Sequence, residues 1–90
     1  MKITEVQIKV IKPKDGLVGF ASLVLEDCLY LSSIGIHTKL NGTGYRITYP
    51  TKKVGTTDLD IFHPINKAFG EELEKEILNK ATKIFEAANI

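Results

Sequence analysis

The sequence predicts an α+β fold: a small antiparallel β-sheet of four to five strands followed by a C-terminal amphipathic helix. Three observations carry this. Apolar residues alternate with polar ones from Glu5 to Ile11, the period of a half-buried strand. Turn chemistry in "KPKDG" and "NGTG" cuts the first two-thirds of the chain into hairpin-sized pieces. Beyond Pro64 the apolar spacing changes to that of a helix. Strands followed by a helix imply a meander with one face covered, in one domain spanning residues 1–90. A core of that size is marginal.

Taken in order, the first strand is predicted over Glu5–Ile11, where Val6, Ile8 and Val10 share one face. Lys12–Gly16 breaks it with Pro and Asp-Gly. Leu17–Leu25 is a second, mostly apolar strand. Glu26–Asp27 is read as a tight turn, and Cys28–Ile36 as the antiparallel return. Asn41–Gly44 signals a hairpin, because Asn and Gly accept positive φ at little cost. Tyr45–Tyr49 is aromatic and β-branched. Leu59–Phe62 is a candidate short fifth strand.

Pro64 biases His63 away from the α region, so the helix starts after it. Asn66 is an N-cap type. Leu73, Ile77, Ala81, Ile84, Phe85 and Ala88 form one apolar stripe. Glu71, Glu72 and Glu74 early, with Lys80 and Lys83 late, are read as complementing the helix dipole. Gly70 is expected to separate a first turn, Asn66–Phe69, from the main helix.

Composition narrows the function classes. Net charge is +1, so overall charge does not point to nucleic acid. The lone Cys28 has no internal partner, which fits a reducing compartment. "MKITEVQIKV" has no continuous apolar core, so no signal peptide is read there, and no run suits a bilayer span. The expected location is cytoplasmic, without membrane association.

Candidate chemistry is sparse. His37, His63, Cys28, Asp58 and Asp60 show no metal-ligand spacing, so no metal and no other cofactor is expected. On a continuous strand, Asp58 and Asp60 would face away from His63. Cys28 is read as a small buried hydrophobe and no nucleophile motif accompanies it. No catalytic residue and no small-molecule substrate is expected. His63 before Pro64, with Asp60, is read as a structural corner; a small enzyme using His63 with Asp60 as its base is the less favoured alternative.

The positive charges are distributed unevenly. No acid lies between Asp27 and Asp58, an interval that holds Lys39, Arg46, Lys52 and Lys53. Such a patch is a footprint for phosphate that net charge hides. Its plainer reading is a solvated loop. Tyr45 and Tyr49, interleaved with these cations, are read as core positions or as base-stacking ones.

The chain resembles the stage V sporulation protein G (SpoVG) family of small bacterial regulators. The likeness spans nearly the whole length and rests on the opening "MKITEVQI", on Pro50-Thr51-Lys52-Lys53, and above all on "DIFHPIN", Asp60–Asn66. The resemblance implies a homodimer that binds DNA or RNA and regulates genes, in some members linked to sporulation or septation. By position, Lys52 and Lys53 match the basic pair implicated in binding. Arg46, Lys39 and Thr51 complete the candidate surface. Asp60, His63, Pro64 and Asn66 are read as a structural motif. Where the family tends to carry Arg within an Ile-Arg-Val run, this chain has Ile34-Gly35-Ile36. The alternative class is a protein–protein module using a sheet edge or helix face.

Overall fold

The computed structural model describes residues 1–87. Its elements run β1 (Ile3–Lys14), β2 (Leu17–Leu25), β3 (Leu29–Thr38), β4 (Tyr45–Thr48), β5 (Thr51–Val54), β6 (Thr57–Asp60) and α1 (Lys67–Ala87). β1 to β4 form an antiparallel sheet in sequence order, and β5 pairs with β6 in a separate two-stranded sheet. This is the predicted α+β arrangement, with two differences in the strands. The strand expected at Leu59–Phe62 lies earlier, as β6 at Thr57–Asp60, and it pairs with β5, formed by the segment read as a loop.

The turns explain the strand boundaries. β1 continues through Pro13 to Lys14, past the expected break. It is an edge strand, so the missing proline N–H breaks no ladder. The reversal is left to Asp15 and Gly16, both at positive φ, as a type I′ turn requires. Between β2 and β3 the chain uses Glu26, Asp27 and Cys28, with Glu26 and Asp27 both at positive φ. That turn is tied to the N-terminus: Lys2 N–H donates to Glu26 Oε1 at 2.7 Å and Lys2 Nζ meets Asp27 Oδ2 at 2.8 Å. The third turn residue removes Cys28 from the strand, so the thiol is exposed rather than buried.

The sheet has four register shifts, and two of them are bulges with a non-glycine residue at positive φ. In β1 the register slips between Thr4 and Gln7, with Glu5 at φ 50°. Between β2 and β3 it slips from Ala21 to Leu23, where Ser33 lies at φ 64°. Bulges increase local twist and bend the strand that carries them. The Lys80 ammonium reaches across from α1 to the Val6 carbonyl inside the first bulge.

Helix α1 covers one face of the four-stranded sheet. Leu73, Ile77, Ala81 and Phe85 are buried, spaced four apart along one helical ridge. They pack with Ala21, Leu23, Leu25, Ile34 and Ile36 of β2 and β3. Ile84 is half-buried at the flank of the stripe; Ala88 lies outside the described residues. A Cβ on Gly19 would stand 2.7 Å from the Lys9 carbonyl oxygen and 3.1 Å from Phe85 Cζ. Gly19 therefore gives the Phe85 ring its seat. Tyr45 flanks that ring with centroids 5.0 Å apart.

Asn66 caps the helix, its Oδ1 accepting from the Phe69 N–H at 2.9 Å. Gly70 does not break it. The helix is continuous from Lys67, and Pro64 lies against Gly70, with Cγ 3.4 Å from where a Cβ would be. The expected dipole complement is absent: the first turn holds no acid and the last turn no base. Glu71 to Glu74 begin too far inside, and the dipole's effect fades within one turn. Helix stability thus rests on docking.

Replacing Ile77 or Phe85 by Ala is expected to cost about 2–5 kcal/mol in urea unfolding. The exposed Glu76→Ala control should change stability by no more than about 0.5 kcal/mol. Gly19→Ala should cost about 1–3 kcal/mol through overpacking under Phe85.

Candidate nucleic-acid interface

The basic pair stands on a hairpin. β5 and β6 pair Thr51 with Asp60, Lys52 with Leu59, Lys53 with Asp58 and Val54 with Thr57, joined by Gly55-Thr56. A further bond, Ile61 N–H to the Pro50 carbonyl at 2.9 Å, extends the ladder toward the helix. Every residue from Thr51 to Asp60 is exposed. Cross-strand partners share a face and successive residues alternate. One face therefore carries Lys52, Val54, Thr57 and Leu59; the other carries Thr51, Lys53, Asp58 and Asp60.

This geometry separates two residues that the sequence presents as a unit. Lys53 lies opposite Asp58, on a face with a second acid. Lys52 shares its face with no acid. The acid-free interval is thus a property of the linear chain, because β6 folds Asp58 and Asp60 back onto half of it.

The other candidates sit elsewhere. Lys39 opens the β3–β4 connection, where its N–H donates to the Gly44 carbonyl at 3.1 Å. Arg46 is in β4, opposite His37. Among the described residues, no ion pair involves Lys39, Arg46, Lys52 or Lys53. His37 Nε2 and Thr48 Oγ1 are hydrogen-bonded at 3.0 Å. They close over Gly35, where a Cβ would come within 2.7 Å of Thr48 Oγ1 and 3.1 Å of His37 Nε2. The position that carries Arg in the Ile-Arg-Val pattern therefore has no space for a side chain here.

Asp60, His63, Pro64 and Asn66 form the corner between hairpin and helix. The strand ends at Asp60, so the chain turns and brings His63 Nε2 to 3.4 Å from Asp60 Oδ2. This reverses the expectation that they face apart. Both side chains are about half exposed. Pro64 and Phe62 roof a small apolar cavity of about 190 Å³ that also meets Tyr49 and Leu73. Tyr49 packs edge-on against Phe62 at 6.1 Å. Burial raises its phenol pKa, and the nearby Glu74 carboxylate adds to that. Tyr45 and Tyr49 are thus engaged with Phe85 and Phe62, the core alternative of the two readings. Among the described residues, no three His, Cys, Asp or Glu side chains cluster as a metal would need. No helix of the described residues is long and apolar enough to cross a membrane.

One surface escapes sequence reading. The sheet face away from α1 carries Lys9, Phe20, Ser22, Val24 and Tyr30, by the pairings Lys9–Phe20 and Val24–Tyr30. The only signal is Phe20-Ala-Ser22-Leu-Val24, an alternation hidden in a strand that reads as continuously apolar.

A four-stranded antiparallel sheet backed by one helix, with a solvent-exposed hairpin leading into a capped corner, defines a small α+β protein. The chain belongs to the SpoVG family, whose model matches residues 1–83. It is 35% identical over 82 residues to the "Putative septation protein SpoVG" of Phytoplasma australiense, covering 89% of this chain and 82% of that one. The Finegoldia magna protein of the same name is 32% identical over 88 residues, covering 96% and 79%. That of Treponema denticola is 30% identical over 80 residues, covering 87% and 83%.

Burial lowers the His37 pKa below the ordinary value of 6.5, and the Arg46 guanidinium lowers it further. Between the folded value and 6.5 the unfolded chain binds more protons at this site, so its contribution to stability falls as pH drops through that window. In an NMR titration His37 should titrate below 6.5. Arg46→Ala should raise its midpoint only part of the way back, since burial is the larger cause.

Proposed function

We propose that this protein is a non-catalytic, nucleic-acid-binding regulator that acts in the cytoplasm as a homodimer. Its hairpin lays Lys52 against backbone phosphates, with Arg46 and Lys39 as additional cations. The observation that carries the reading is the exposed, unpaired Lys52 on an acid-free hairpin face, in a chain of the SpoVG family. The septation role named for the relatives fits a regulatory protein. A lysine is a mobile point charge, suited to a phosphate oxygen and poor at bidentate base recognition. Thr51 and Lys53 share the acidic face and contribute less.

Dimerisation has its own support. A lone two-stranded hairpin is marginally stable in water. This one exposes Val54 at 51% and Leu59 at 50% on the face of Lys52, and Ile61 and Ile65 follow at 61% and 94%. Cover from a second copy removes this apolar surface from water and places two basic hairpins in one particle. The same face supports the second reading, a protein–protein module.

Light scattering at micromolar concentration should give twice the chain mass; a monomer across that range removes the dimer. Mobility shift on random duplex over a salt series tests the lysines. In a dimer, Lys52→Ala should reduce the slope of log affinity against log salt by up to about 1.8 units, equally for all sequences. Lys53→Ala should reduce it less. An unchanged slope in folded Lys52→Ala would make the hairpin a solvated surface and leave protein partners as the function.

A further inference from the structure

We infer that the open face of the four-stranded sheet holds a base-stacking site for single-stranded nucleic acid, in the groove between Phe20 and Tyr30. The inference rests on the nucleic-acid reading above and names a surface separate from the basic hairpin. The groove has a volume of about 400 Å³ and is centred on Ser22. It owes its shape to the two bulges. One displaces β1 between Thr4 and Gln7, and the other displaces β3 at Ser32 and Ser33, so the strands on both sides of Ser22 lose register at the same level. Such bulges re-aim side chains and often border functional sites.

The lining suits a nucleobase. Phe20 stands at one end, half-buried, beside Lys9 in the neighbouring strand. Tyr30 stands at the other, 67% exposed. The aromatic pairs of the described residues are Tyr45–Phe85 and Tyr49–Phe62, so neither Phe20 nor Tyr30 is engaged in one. An exposed ring on an open sheet face is a stacking platform, and every base has a π-face to offer it. Between the rings, Ser22, Ser32 and Gln7 supply donors and acceptors for base edges.

Charge decides the class of occupant. The lining of the groove holds one charged residue, Lys9, and no Asp or Glu; Glu5, in the neighbouring bulge of β1, is not part of the lining. An anionic strand whose bases stack inward matches this face. A duplex does not, because its bases are already stacked within the helix and present only their edges.

The test is fluorescence anisotropy with fluorescein-labelled 12-mers of RNA and DNA and the corresponding DNA duplex. On either single strand, Tyr30→Ala should weaken binding about tenfold, and Tyr30→Phe, which keeps the ring, should bind as the unsubstituted protein does. Lys9→Ala should lower the single-strand salt slope by about 0.7 per phosphate contact. Duplex affinity should be unaffected by Tyr30→Ala. Single-strand binding that survives Tyr30→Ala overturns this site and leaves the hairpin reading standing. Equal weakening on single strand and duplex also overturns it. Loss of the dimer in Tyr30→Ala, seen by light scattering, would reassign the groove to an interface between copies. No binding of any 12-mer by the unsubstituted protein would overturn the nucleic-acid reading and this site with it.

Discussion

Phe85 docks where β2 has no side chain. Gly19 lets the ring approach the strand backbone, while Tyr45 from β4 packs against its side. From that anchor the ridge Phe85, Ala81, Ile77, Leu73 runs back toward the helix start, burying one residue per four along the sheet. The helix has little else to hold it: no acid in its first turn and no base in its last. Its order is therefore tertiary in origin, as in most helices of small proteins. The cap by Asn66 and the Pro64 contact with Gly70 fix where it begins.

That docking uses only one face of the sheet. Among the described residues no element covers the opposite face. Closure of Gly35 by His37 and Thr48 shows that this face is itself packed at one end, with a bond of 3.0 Å holding the two side chains. At the other end the bulges open it. The same sheet is thus tight beside β4 and concave around Ser22. A burial-lowered His37 pKa belongs with the tight end, where a charged imidazole would face Arg46.

The hairpin follows a different logic. Its ten residues are all exposed, and it is attached to the rest through Pro50–Ile61 and the corner at His63. Backbone pairing, with no core beneath it, sets which way each side chain points. Alternation puts Lys52 on a face without an acid and Lys53 opposite one. Two adjacent lysines of the same type thereby acquire different electrostatic surroundings.

Several features are legible in the linear chain because they depend on local chemistry. The α+β class follows from the change of apolar period, the β1 alternation from Val6, Ile8 and Val10, and the helix start from Pro64 and Asn66. The positions Leu73, Ile77, Ala81 and Phe85 are readable for the same reason: helical spacing marks a buried face whatever lies beneath it. Other features depend on what is opposite, which only the tertiary structure decides. Cys28 is exposed because the turn took three residues. Lys53 is opposed by an acid because β6 returns Asp58 to it. Asp60 reaches His63 because the strand stops between them. The groove exists because two bulges, neither marked by Gly or Pro, fall level with each other across β2. Register between strands is a long-range pairing, and single-chain periodicity carries no record of the partner.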